Sequence, residues 1–144
     1  MPAVKKTKLM EMFWKIHPWI YEKTGGRVGG KAFGMPVLIL ITRGRKSGQV
    51  RKNTLMYITQ GDAPVVIASN AGEPYHPAWY LNLKTNQNVQ VQRGSQVVNA
   101  IAREAEGEER ERLWKQVVEA ESGYAEYERR TTRKIPLVVL EPQA

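Results

Sequence analysis

The 144-residue chain has no cysteine and only two histidines, His17 and His76. The first absence excludes disulfides, zinc–thiolate centres and cysteine nucleophiles, and it suits a reducing cytoplasm. The second excludes a histidine-rich metal centre, so no metal site is expected; a catalytic triad would need one of those two side chains. No uninterrupted apolar run approaches the ~20 residues of a membrane-spanning helix. The N-terminal stretch "MPAVKKTKLMEMFWKIHPWIYEKTGG" is basic and aromatic, and Glu11 and Lys15 break its apolar part, which does not fit a signal peptide. There is no internal repeat and no low-complexity segment.

What is present suits one globular domain. The chain is 42% hydrophobic and 25% charged, and it is long enough to bury a core. The net charge is +8, which makes an anionic partner plausible. Leu9, Met12, Phe13, Ile16 and Ile20 fall at helical spacing, so 1–24 reads as an amphipathic helix restarted at Pro18, and 25–144 as the main domain. That helix could rest on an anionic membrane through its lysines and aromatics, or simply dock on a sheet. Glycines 25, 26, 29, 30 and 34 make a linker. "GGRVGG" precedes a strand rather than following one, so a dinucleotide-binding fold is not indicated.

The middle of the chain reads as strands. "PVLILIT" (36–42), "VRKNTLMYIT" (50–59) and "PVVIAS" (64–69) come first. "HPAWYLNLKTN" (76–86) is a short helix, and "NVQVQR" with "QVVNAIARE" is a hairpin around Gly94. Residues 107–120 form a helix with an apolar stripe of Leu113, Trp114, Val117 and Val118; Glu108–Arg112 and Glu111–Lys115 pair on its wet face. "YAEYERRT" is a short helix or turn, and "IPLVVLE" (135–141) a last strand. The pattern predicts an α+β domain on a mostly antiparallel sheet that could close into a barrel.

Three stretches could carry chemistry. "TRGRKSGQVRK" (42–52) holds five positive charges and no negative one. A glycine-containing turn can form an anion-binding nest of backbone N–H groups. Arg43, Arg45, Lys46, Arg51 and Lys52 add charge, and Ser47 adds a hydroxyl; the alternative is a solvated hairpin tip. In "ASNAGEPYHPAWYLNL" (68–83) a strand ends in small polar residues where a flat ligand could lie, while Trp79 and Leu83 suit a core. In "GYAEYERRT" (123–131) Tyr124 and Tyr127 share a helix face, either as neutral phenol donors or as packing residues. His76 reads as a helix-start residue.

Taken in order, these three stretches resemble the deazaflavin-dependent nitroreductase family, actinobacterial oxidoreductases that use coenzyme F420. The resemblance spans residues 25–142. It implies a split β-barrel of the FMN-binding type. It also implies hydride transfer from reduced F420 to a small-molecule substrate: a quinone, an activated enone or a nitroaromatic. F420 has a flat ring and a phosphorylated, glutamate-bearing tail. By the resemblance Arg45, Lys46, Ser47, Gly48 and Arg51 hold the tail, and Ala68, Ser69 and Asn70 lie along the ring. Pro77, Trp79 and Asn82 match the family's supporting "PxWxxN". Tyr124, Tyr127 or Ser69 would stabilise developing charge or supply a proton. Some members carry lysine at Asn70, and some a third tyrosine at the position of Glu121, so ring contacts and substrate preference differ here. A cytoplasmic monomer or weak homodimer is expected, with membrane contact only through the N-terminal helix. The rival readings are an FMN- or haem-binding protein of the same fold, or a basic nucleic-acid-binding module. Nucleic acid is the less favoured partner, because the charge is concentrated in one turn.

Overall fold

A computed structural model of the protein describes residues 31–32 and 35–143. The expected N-terminal helix and the linker glycines 25–30 and 34 lie outside the described residues. Among the described residues there are seven strands: β1 (Lys31–Ala32), β2 (Met35–Arg43), β3 (Val50–Gln60), β4 (Ala63–Ile67), β5 (Asn88–Arg93), β6 (Gln96–Glu104) and β7 (Leu137–Pro142). The described residues also form the α-helices α1 (Ala78–Thr85), α2 (Gly107–Ala120) and α3 (Gly123–Arg130). The sheet runs β1-β2-β3-β4-β7-β6-β5, and β5 pairs back onto β2. Six strands therefore close into a barrel, and every pairing is antiparallel. Closure removes the sheet edges that would otherwise expose unpaired backbone groups.

Alternation along the strands sorts the core into two layers. Leu38, Leu40, Val66, Val89, Val91, Val138 and Leu140 turn inward, with Ala100 and Ala102 on β6. Two alanines leave room for Trp79, Tyr80 and Leu83 of α1, which pack onto this interior cluster. The opposite face of β4 and β7, through Val65, Ile67, Leu137 and Val139, meets Leu113 and Val117 of α2 and Tyr124 of α3. Burying each such aliphatic side chain contributes about 1.5–3 kcal/mol.

Element boundaries moved where local geometry overrode pattern. The 64–69 strand stops at Ile67, because Asn70–Gly72 form a 3-10 turn instead. The 76–86 helix starts at Ala78, because Pro77 is extended (φ −66°, ψ 151°) and serves as its N-cap. Arg112 of α2 donates to Gln60 Oε1 at 2.6 Å on β3 rather than stopping at its own helix face. Arg103 of β6 forks onto Glu109 of α2 (2.6 and 2.8 Å) and also reaches Glu141 of β7 (2.9 Å). Hydrogen bonds from Arg103, then from Gln60, pull the Glu109 carboxyl down to about 2. Among the described residues, no helix is long and apolar enough to cross a membrane.

Candidate functional site

The β2–β3 hairpin tip is held by its own backbone. Gly44 N–H donates to Gln49 O, and Gly48 N–H to Gly44 O, both at 2.8 Å. Gly48 is left-handed (φ 71°), a conformation that costs other residues strain. A Cβ on Gly44 would sit 2.8 Å from Ser47 Oγ, so a larger residue there would displace the serine hydroxyl. Ser47 Oγ accepts from Gln49 N–H at 3.2 Å, and its hydroxyl proton can still be donated.

Behind the tip stands Asn82, buried on α1. Its Oδ1 accepts from both the Arg45 backbone N–H (3.1 Å) and the Arg45 guanidinium (3.0 Å). Its Nδ2 reaches the buried Thr42 Oγ1 at 3.5 Å. One buried amide thus fixes the hairpin to α1 and orients Arg45, whose remaining donors are available to an anion. A cleft of about 400 Å³ results. Arg45, Lys46, Arg51 and Lys52 supply four cations to its lining, with Ser47 and Trp79 beside them. None of the described lining residues is acidic.

A second locus lies at the end of β4. Ala68 and Ser69 are buried, and Ala68 N–H continues the ladder onto Pro136 O at 2.9 Å. The chain then turns through Asn70 (φ 47°), Ala71 (φ 54°) and Gly72 (φ 78°), all left-handed. Two consecutive non-glycine residues there cost about 1–2 kcal/mol each and persist only where surroundings hold them. Two neighbours do so. The first is α3: a Cβ on Gly72 would meet Arg130 Cδ at 2.9 Å and Tyr127 Cα at 3.3 Å, so the helix lies directly on the turn. The second is Arg133. Its guanidinium donates to Ala68 O (3.1 Å), Ser69 O (2.7 Å) and Glu73 O (3.0 Å), and it contacts His76 Nδ1 at 3.2 Å. His76 stacks at 4.7 Å against Tyr80, whose hydroxyl donates to Glu104.

Tyr124 and Tyr127 meet edge to face at 5.7 Å. Tyr124 is buried in the outer core layer, and Tyr127 is only partly buried beside the turn. Burial raises both phenols above their ordinary value, with Glu121 reinforcing Tyr127, so both stay protonated at neutral pH.

Of the residues singled out in the sequence, Arg45, Lys46, Ser47, Arg51, Trp79 and Asn82 line one cleft. Gly48 shapes its rim, and Pro77 caps the helix that forms its wall. Ala68, Ser69 and Asn70 belong to the second locus, joined to the cleft through residues 76–79 at the start of α1. Lys52 joins the lining, although the resemblance carried only its neighbours. Arg133 and the role of His76 were not anticipated. The segment "ERRTTRK" offers several equivalent cations, and which one reaches carbonyls 60 residues away is a tertiary fact.

The description "F420H(2)-dependent quinone reductase" belongs to the family whose model matches residues 13–142. The chain belongs to this family. An F420H(2)-dependent quinone reductase of Mycobacterium tuberculosis is 38% identical over 130 residues, covering 88% of this chain and 87% of that protein. A solved structure of an F420-H2 dependent reductase is 45% identical, covers 74% of this chain and 94% of that one, and superposes with a TM-score of 0.68. A further structure, described as a domain-swapped dimer, is 38% identical, covers 88% and 94%, and has a TM-score of 0.71. Distant neighbours such as a pyridoxamine 5'-phosphate oxidase (13% identity, TM-score 0.53, 75% of this chain and 84% of that one) share the split-barrel fold. The protein is thus an F420H2-dependent oxidoreductase of split-barrel architecture.

Proposed function

We propose that the protein reduces quinones, and by the same chemistry activated enones or nitroaromatics, with the cofactor tail in the hairpin cleft and its ring along residues 68–72. The observation that carries this reading is the cleft itself: four cations, a hydroxyl and an indole around about 400 Å³, with no carboxylate among its described lining residues. One phosphate does not need four cations; a phosphorylated, carboxylate-bearing tail does. The residues therefore fit F420.

When bound, reduced F420 supplies the hydride. The chain supplies the rest. Arg45, held by Asn82, presents its free guanidinium edge to the tail, and Lys46, Arg51 and Lys52 add screened charge around it. The Ser69–Gly72 turn gives the ring a rigid, preshaped edge. A neutral Tyr127, partly buried against that turn, can donate a hydrogen bond to a substrate oxygen and then release the proton that completes the two-electron reduction. Ser69 is the second candidate donor, and Tyr124 backs Tyr127 from the core.

The test is a titration of the purified protein with F420, FMN, haem and an oligonucleotide. F420 should bind most tightly, and its affinity should fall with added salt, since exposed charges are screened over ~8 Å at physiological ionic strength. Equal or tighter FMN binding would overturn the assignment of the cleft to the longer polyanion.

A further inference from the structure

Arg133 lies between α3 and β7, in none of the three stretches' proposed roles, yet it makes four polar contacts with one loop. We infer that Arg133 is a positioning residue: its guanidinium fixes residues 68–73 in the shape that receives the cofactor ring. The inference rests on the reading of that loop as the ring site.

The geometry carries it. Three different nitrogens of one planar group reach three backbone carbonyls, at residues 68, 69 and 73, on both sides of the left-handed turn. A fork with its donors fixed in a plane can bracket a turn in this way; a single ammonium cannot span the same acceptors. The bracketed segment is strained at Asn70 and Ala71, so its shape depends on the bracket as well as on the contact with α3. Two of the carbonyls belong to buried residues: losing Arg133 takes the guanidinium donor from Ala68 O and leaves Ser69 O with its bond from Gly72 N–H (2.9 Å). An arginine always donates, so His76 Nδ1 must accept, and the His76 proton resides on Nε2. His76 in turn stacks on Tyr80 of α1. The clamp thereby ties the loop to the helix that walls the tail cleft, and ring and tail positions are set by one connected frame.

The test compares Arg133→Lys and Arg133→Gln with Arg129→Ala, a control at an exposed residue whose partner among the described residues is Glu126 on its own helix. In the cofactor-free protein, amide hydrogen exchange across 69–73 should rise roughly tenfold or more in both Arg133 variants, with the barrel strands unchanged. Turnover at saturating F420H2 with a benzoquinone should fall on the order of 10–100-fold, because small misplacements of a reacting group are costly. F420 affinity should change by less than about threefold, since the tail contacts are intact. Arg129→Ala should behave as the unsubstituted protein. If the variants do not fold, the unsubstituted protein decides: the Arg133 Nε proton should be protected in 15N NMR, and exchange as fast as that of Arg129 overturns the clamp. Full activity in Arg133→Lys, or unchanged loop exchange, also overturns it. If the unsubstituted protein binds no F420, the ring-site reading falls instead.

Discussion

The two loci differ in how they are built. The hairpin tip carries five exposed cations, and of these Arg45 is pinned by a buried amide. The 68–73 loop is half-buried, strained, and gripped from both sides by α3 and Arg133. Exposed charges attract an anion from a distance, but screening and side-chain freedom make them poor rulers. A clamped backbone attracts nothing at range, but it holds a shape. On the proposed reading the contrast is a division of labour: affinity in the hairpin, and placement for hydride transfer in the loop.

The largest effect should come from destroying the loop's backbone shape. Gly72→Ala forces a Cβ into Arg130 and the Tyr127 backbone while φ stays at 78°. The loss should be about 2–3 kcal/mol from strain and overpacking together. For a domain of this size that lowers Tm by roughly 6–15 °C. Thermal unfolding measures it, and a Tm within a degree or two of the parent would show that α3 does not rest on the turn. The mirror experiment strikes the hairpin. Arg45→Ala with Lys46→Ala should weaken F420 binding by roughly tenfold per residue, in line with charge-assisted hydrogen bonds. Tm and the rate at saturating cofactor should barely move. A fall in saturated rate with unchanged Kd would reverse the proposed division.

The hairpin was legible in the sequence and the clamp was not, for a physical reason. "RGRKSGQVRK" is local: its charges, its glycines and its turn lie within a few residues, so composition and spacing describe it. Trp79 was also readable, because it stands four residues before Leu83 on one helix face, whereas Asn82 was singled out through the resemblance's "PxWxxN". The barrel order was partly legible. Alternation and turn signals gave the strands and their antiparallel sense, but closure of β5 onto β2 joins residues about 50 positions apart and left no local mark. Asn70 and Ala71 show the same limit. Nothing in "SNAG" announces two left-handed residues before the glycine, because Arg133 and α3, far along the chain, stabilise them. Tyr124 and Tyr127 were singled out together by spacing alone, and only packing separates the buried one from the one beside the turn.

That separation yields a smaller, sharper test. Tyr127→Phe removes a neutral donor at the proposed substrate side of the loop and keeps the ring. A fully preorganised donor is worth ~10²–10³ in turnover, and a partly exposed one less, so roughly tenfold is expected. Tyr124→Phe keeps its packing in the outer layer and should lose less than Tyr127→Phe. Cofactor affinity should be unchanged in both. Parental quinone-reduction rates in both variants would move the proton-donating role to Ser69 or to water.

The smallest expected effect is on pH, and its sign follows from the clamp. Burial, then the neighbouring Arg133 charge, lowers the His76 pKa, while Glu104 on β6 opposes the shift. Tyr80 of α1, packed against His76, is raised by burial and by its bond to Glu104, so it stays neutral throughout. Lys84 sits 3.8 Å from Glu104 and damps that carboxylate's pull. A depressed histidine pKa means that the unfolded chain, and an opened loop, bind the proton more readily than the clamped form does. The stabilisation is therefore complete above the ordinary value of about 6.5 and is lost as pH falls from there through the folded pKa. Protonation places two cations 3.2 Å apart and removes the acceptor that Arg133 uses. Loop exchange should quicken and turnover decline on that acid limb, while F420 affinity should hold. His76→Gln retains an acceptor and cannot be protonated, so it should flatten the limb without lowering the rate at pH 8. An acid limb unchanged in His76→Gln would assign the titration to another group and leave His76 as a packing residue at the start of α1.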